Sequence, residues 1–231
     1  SEAACRVTAF SLYLSLLERL QPSDIVALCD DAQTQLPTLR GRNLYSGDDQ
    51  GDFFSPHNPL TQRRDYTLLL SNPPWMEVSA SEGNWVKTWA EQAEHPRSLE
   101  QIAIDFAWRA SEIAQPGARL CLILPMTMLL KPSSQDFLSA WLERVRWDRV
   151  INFGDLKELM FADGRASCVV LLAERRPPAA DPAVPAPIPG RETFEYWAPK
   201  ADVSLAFGRL TLHGVDRHVV QTQATRLRQH A

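Results

Sequence analysis

The chain has 231 residues, 45% apolar and 23% charged, with a net charge of −4. That is the composition of a globular protein, and it excludes a disordered or collagen-like chain. The acidic balance excludes a chain that is basic throughout, so any grip on nucleic acid needs a local patch or another domain. No apolar run approaches the ~20 residues of a membrane span, and no signal peptide is evident. The four cysteines (Cys5, Cys29, Cys121, Cys168) form no close-spaced pair and read as reduced, buried thiols of a cytoplasmic protein. The five histidines show no ligand spacing, so no metal is expected.

In chain order, Val7, Phe10, Leu14 and Leu17 are spaced for one face of a helix over Glu2 to Leu20. A shorter helix fits between Asp24 and Leu36. Asn43-Leu44-Tyr45 reads as a short strand, followed by a polar run from Ser46 to Asp52 and then Phe53-Phe54. Asp65 to Ser71 reads as a buried strand that runs into Asn72-Pro73-Pro74-Trp75. Met76 to His95 is polar and mixed, with Trp85 and Trp89; a loop of this length beside a site is a lid or substrate-contact segment, or else an excursion whose tryptophans cover core.

Ser98 to Gln115 is helical, with Ile102, Phe106, Ala110 and Ile113 on one face, and Pro116-Gly117 ends it. Arg119 to Pro125 is an apolar strand of the kind buried on both faces. Ser133 or Ser134 can cap the following helix, with Asp136 in its first turn and Phe137, Trp141, Leu142 and Val145 inward. Arg149 to Phe153 and Ser167 to Ala173 are strands. This alternation of helix and strand predicts a three-layer α/β sheet. Residues 176–190 hold six of the seventeen prolines and read as a stiff linker. Beyond it, Phe194 to Trp197 and Ser204 to Leu212 suggest short strands of a further module, and Val215 to His230 a helix. The expected organisation is thus a domain over 1–175, a linker over 176–190 and the start of a further module over 191–231, for which target recognition is one reading.

The residues with the sharpest chemistry are Asn72, Pro73, Pro74 and Trp75. They stand at the carboxyl end of a strand, the edge where open α/β sheets bind ligands. An exocyclic amine on an aromatic base has two N–H donors, and the Asn72 side-chain oxygen and Pro73 carbonyl can accept both. The two prolines fix φ and remove N–H groups, so the turn is stiff and presents acceptors. Trp75 offers a face for stacking. The bland alternative is a loop start beside a core tryptophan.

Asp-aromatic-x-apolar-apolar-apolar-x-Asn-Pro-Pro-Trp, over Asp65 to Trp75, resembles the catalytic motif of amino-group methyltransferases, in particular the N6-adenine DNA methyltransferases of restriction-modification and phage-defence systems. The resemblance covers roughly Ser1 to Glu174. It implies a Rossmann-like class I fold entered partway through. The helix from Ser1 stands where the family's helix after its second strand stands, and Asn43 to Phe54 resembles the third strand with its acidic residue. Ile123-Leu124-Pro125 resembles the next strand but one, and Phe161 to Leu172 the final strand pair. The family's first strand, its Gly-rich loop and its ribose-binding acid have no counterpart here, so the chain reads as a fragment of a longer protein. The resemblance further implies S-adenosyl-L-methionine as cofactor, its adenine amine held by Asp52 or, less closely fitting the pattern, Asp48. It implies double-stranded DNA with a flipped adenine as partner and Asn72, Pro73, Pro74 and Trp75 as the catalytic set. Two other readings stay open: methyl transfer to another planar amine (an RNA base or a protein glutamine), and an inactive remnant or scaffold.

Overall fold

The computed structural model describes residues 1–30, 36–77, 85–92, 101–156, 167–178 and 193–199, together with the backbone of 215–221. The chain divides into two compact units, Ser1–Gln62 and Arg63–Ala231.

The first unit carries helices α1 (Glu2–Leu17), α2 (Pro22–Asp30) and the single turn α3 (Pro59–Gln62). Ser1 caps α1: its hydroxyl accepts from the Ala4 N–H at 3.3 Å. The face expected to turn inward is exposed instead. Val7 is 66% and Phe10 62% exposed, and Ala9 is the one buried residue of the helix. The expected strand at Asn43–Tyr45 also does not form. Leu44 makes a single bridge, to Arg40 in its own turn, because no neighbouring strand among the described residues of this unit offers its backbone a ladder.

The second unit is built on one mixed sheet of β1 (Tyr66–Ser71), β2 (Ala114–Pro125), β3 (Val145–Asn152), β4 (Cys168–Arg175), β5 (Thr193–Pro199) and β6 (Val215–Gln221), in the order β1-β2-β4-β3-β5-β6. β1 is parallel to β2, β3 is parallel to β5, and β4 lies antiparallel between β2 and β3. β1, β2, β3 and β5 therefore end at the same edge. This is an α/β Rossmann-like sheet. The final strand pair, placed by resemblance at Phe161–Leu172, is β3 with β4; residues 161–166 lie outside the described residues. The apolar run recognised there belongs to β4 alone, and its partner is the strand before the intervening loop.

Helices α4 (Trp85–Gln92), α5 (Ile102–Ile113), α6 (Thr127–Leu130) and α7 (Gln135–Arg144) join these strands. β2 starts earlier than expected, at Ala114, and Gly117 at φ +80° lets the chain bulge there: Tyr66 pairs with Ala114 but Leu68 with Arg119. Ser134 stands at the α7 N-cap without a capping hydrogen bond, because its backbone is helical as part of the 3-10 turn Pro132–Ser134. Asp136 lies in the first turn of α7, and Phe137, Trp141 and Val145 are buried as expected.

The sheet's two faces differ. Leu120, Leu122, Leu124, Val169, Leu171 and Ala173 are each about 1% exposed or less and look toward α5 and α7. Trp108 of α5 meets Phe137 of α7 at 5.9 Å, so these helices share that face. Through Phe137, Trp141, Trp147 and Phe194 the aromatic chain continues across α7 and β3 into β5. β5, expected to open a further module, thus joins this sheet, because Phe194 fills the core beside Trp147. On the other face, β1 is not the buried strand expected: it lies at the edge of the described sheet, and Leu68 and Leu70 are 55% and 69% exposed, in register with Arg119 and Cys121. The linker core 179–190, the expected strand at Ser204–Leu212 and most of the expected last helix lie outside the described residues; Val215–Gln221, read as its start, is a strand paired with β5. Among the described residues no helix is long and apolar enough to cross a membrane.

Candidate active site at the carboxyl edge of the sheet

β1 delivers the Asn72–Trp75 loop to the edge at which β1, β2, β3 and β5 all end. The loop is clamped on both sides. At entry, Ser71 pairs with Leu122 of β2. At exit, the Met76 carbonyl accepts the Ile102 N–H at 3.0 Å and Glu77 bridges Gln101, which fastens the loop to the first turn of α5. Pro73 is buried between these clamps, while Asn72 and Pro74 are exposed. Trp75 is half-buried, and its indole N–H donates to the Ile123 carbonyl of β2 at 3.4 Å. The indole is therefore anchored by its edge to the adjacent strand.

The Asn72 amide makes no hydrogen bond to another described residue. Its carboxamide and the neighbouring carbonyl of Pro73 sit on a loop that two prolines and two clamps hold still. An acceptor pair so placed suits a planar group bearing two N–H bonds. Two further polar atoms near this loop are buried without a hydrogen-bond partner among the described residues: Gln101 Oε1, at the loop exit, and Thr127 Oγ1, just past the end of β2. Buried polar atoms are ordinarily paired, which sets these two apart. The sequence reading singled out neither, since a lone Gln or Thr carries no spacing signal.

The first unit holds Asp52. It is half-buried, and its Oδ1 accepts the Phe54 N–H at 2.7 Å, whereas Asp48 is exposed. A carboxylate has about four acceptor positions, so Asp52 retains capacity for an external donor. Gly51 is demanded by close approach: a Cβ there falls 2.6 Å from the Ser46 backbone. Around Asp52 runs a staircase of turns in which the N–H of Asp52, Ser55, Asn58 and Thr61 donates to the carbonyl three residues back, beginning at Asp49. Ser55, Asn58 and Thr61 are buried, at 0%, 5% and 1% exposure. The sequence reading missed these residues, although their signal is there to read: a polar residue at every third position from Asp49 to Thr61. Among the described residues no group of three or more His, Cys, Asp or Glu is arranged to hold a metal ion.

The family model of the Eco57I restriction-modification methylases matches residues 1–159. No curated protein matches the chain. Among solved structures, the type IIG restriction endonuclease BpuSI is similar at 12% identity and a TM-score of 0.46, over 70% of this chain and 20% of that one. The EcoKI M protein, of a type I restriction enzyme, is similar at 11% identity and a TM-score of 0.41, over 59% of this chain and 26% of that one. A Listeria monocytogenes protein assigned to the class I S-adenosylmethionine-dependent methyltransferases is similar at 16% identity and a TM-score of 0.44, over 62% and 40% of the two chains. The chain thus spans between a fifth and two-fifths of the length of these structures.

Proposed function

From the premise that this chain belongs to the Eco57I restriction-modification methylase family, we propose that it is part of a DNA methyltransferase that methylates the exocyclic N6 amine of adenine. The observation that carries the proposal is Asn72: an exposed amide with no hydrogen bond to another described residue, beside a stiff carbonyl, at the carboxyl edge of an α/β sheet.

A duplex buries the adenine amine in its base stack, so the base is flipped out, at a cost of a few kcal/mol. Stacking on Trp75 offsets part of this, at about 1–3 kcal/mol for a base on an aromatic face. The indole edge is tied to Ile123 while the ring stays half-exposed, which suits a ring fixed before its partner arrives. The amine nitrogen is a poor nucleophile because its lone pair is delocalised into the ring. Hydrogen bonds from its two N–H groups to Asn72 Oδ1 and the Pro73 carbonyl favour the tetrahedral nitrogen with its lone pair localised for attack. Two prolines stiffen the loop that carries these acceptors, which lowers the reorganisation the reaction needs.

S-adenosyl-L-methionine, when bound, supplies an electrophilic methyl group on a sulfonium. Of this chain's residues, Asp52 is the one we assign to it, accepting from the adenine amine of the cofactor; its unspent acceptor capacity fits that donor. The cofactor's methionine and ribose parts find no Gly-rich loop between Ser1 and Ala231, where no two glycines stand within two residues of each other.

Substitution Asn72→Ala in the intact enzyme tests the reading. Methyl transfer to DNA is expected to fall at least about 100-fold, the usual consequence of deleting one preorganised hydrogen-bond group, with cofactor binding kept. Transfer at the wild-type rate removes Asn72 from the chemistry. Label appearing in RNA or in protein glutamine, and not in DNA, moves the reading to another planar amine.

A further inference from the structure

The polar staircase around Asp52 has a chemical consequence. Its successive turns join the residues at 49, 52, 55, 58 and 61 through backbone hydrogen bonds at every third position. The side chains then bond along the stair. Ser55 Oγ donates to Asp49 Oδ1 at 2.9 Å and accepts the His57 N–H at 3.0 Å. His57 Nδ1 lies 2.7 Å from the same Asp49 oxygen. Asn58 Nδ2 donates to the Asp52 carbonyl at 3.0 Å, while its Oδ1 accepts the Leu60 N–H at 2.9 Å. Thr61 Oγ1 donates to the Asn58 carbonyl at 3.2 Å. The Asp52 backbone is therefore gripped from both sides: its N–H by the Asp49 carbonyl at 3.2 Å, its carbonyl by the Ser55 N–H at 3.3 Å and by Asn58.

A surface loop does not ordinarily bury three polar side chains. Burying polar groups is costly unless each is bonded, and these groups are bonded to one another and to the backbone around Asp52. Asn58 and the turns from Asp49 and to Ser55 hold the Asp52 backbone. The side chains of Asp49, Ser55 and His57 tie those two turns together, and the Asp52 carboxylate, which accepts the Phe54 N–H, stays half-exposed.

We infer that Asp49, Ser55 and Asn58 are positioning residues that aim the Asp52 carboxylate at a 6-aminopurine, making this staircase the element that distinguishes the cofactor's adenine from a 6-oxopurine. The inference rests on the assignment of Asp52 made above. A carboxylate accepts from an amine and repels a carbonyl oxygen, so its aim decides between the two bases. Asp49, with its pKa held below the ordinary carboxylate range by the bonds from His57 and then Ser55, stays ionised as the acceptor for both.

The experiment is calorimetry on the intact enzyme with S-adenosylhomocysteine and with S-inosylhomocysteine, in which a carbonyl replaces the amine. Asn58→Ala and Asp49→Ala are each expected to weaken the adenine ligand about fivefold to twentyfold, in keeping with one or two lost hydrogen bonds. Both are expected to reduce the preference for adenine over the 6-oxo base by a similar factor, a ratio that general loosening of the fold does not change. Asp49→Asn, whose amide oxygen still accepts from Ser55, is expected to restore most of the preference. Asp49 is exposed, so its variants test the inference even if Asn58→Ala fails to fold. An unchanged preference in Asp49→Ala, alongside loss of binding in Asp52→Ala, overturns the positioning role and leaves Asp52 in place. Wild-type binding by Asp52→Ala overturns the assignment of Asp52 itself, and the inference with it.

Discussion

At the scale of single residues, Trp75 combines two features that usually exclude each other. Its indole is pinned by its N–H to the Ile123 carbonyl, as in a core residue, yet the side chain is half-exposed, as in a ligand platform. Trp75→Phe keeps an aromatic face and loses the pin, whereas Trp75→Ala loses both. If the ring stacks on a flipped base, the Phe variant stays within about tenfold of wild-type transfer, and the Ala variant falls by about 10–100-fold, matching ~1–3 kcal/mol of stacking. Thermal melts run beside the assay separate this from a packing role: a large fall in Tm with full activity in the folded fraction sinks the stacking idea. The cysteines allow a second check on side-chain environment. Burial pushes the Cys121 and Cys168 thiols up from their ordinary pKa, and Cys168 is buried, while Cys29 is exposed. The thiolate is the reactive form, so iodoacetamide at about pH 8 should label Cys29 first and Cys168 last. Prompt labelling of Cys168, read by mass spectrometry, contradicts the burial seen at β4.

At the scale of elements, the strand after the proline-rich stretch matters most. β5 pairs with β3, and Phe194 is 2% exposed, its ring 5.4 Å from Trp147 in a T-shaped contact. Arg149 of β3 lies 3.8 Å above the Trp197 ring and pairs with Glu195 at 2.7 Å, so both faces of β5 are fastened to β3. Phe194→Ala is expected to destabilise the second unit by about 3–5 kcal/mol, or roughly 6–20 °C in Tm. An unchanged melting curve means that β5 does not belong to this core. The same logic explains Trp85 and Trp89. Both were expected on a long loop; they lie on α4, where Val86, Trp89 and Ala90 are buried and Arg109 of α5 sits 5.5 Å from the Trp89 ring. Trp89 covers core, while Trp85 is half-buried; residues 78–84 and 93–100 of that stretch lie outside the described residues.

At the scale of the whole molecule, the apolar surface is only partly covered. β1 is an edge of the described sheet, and Leu68 and Leu70 present exposed apolar side chains on the face away from α5 and α7. In the first unit, α1 presents Val7, Phe10, Leu12 and Leu14 to solvent. An apolar edge strand is a template for pairing with another chain, and large apolar patches favour association. The stretch Ser1–Ala231 on its own is expected to self-associate at micromolar concentration, and Leu68→Lys with Leu70→Lys to reduce this in light scattering. Equal scattering by both proteins places the sticky surface elsewhere. On its own, this stretch is also expected to bind S-adenosyl-L-methionine more weakly than micromolar, having the adenine-side acid and no Gly-rich loop. Micromolar binding in a calorimeter means that the cofactor site is misplaced.

What the sequence determined by itself was local and short-ranged. Apolar runs in Tyr66–Ser71 and Arg119–Pro125, proline at fixed places and a helical period over Ile102–Ile113 each follow from residue chemistry within one element, and all appear in the fold. The stiff acceptor loop at Asn72–Trp75 is of the same kind, since two prolines and an amide need no distant partner to be recognised. Tertiary structure decided which strands are neighbours and which apolar faces are covered. Asn43–Tyr45 has strand-like residues but no ladder; Val7 and Phe10 have helical spacing but no cover; Phe194 has a sheet to join that no local signal announces. Tertiary structure also revealed how the loop around Asp52 is held, because a chain of i→i+3 hydrogen bonds exists only once the turns close and their polar side chains are shut off from water. Pairing and burial are relations between distant residues, and a one-dimensional pattern carries them only where the partners are near in sequence.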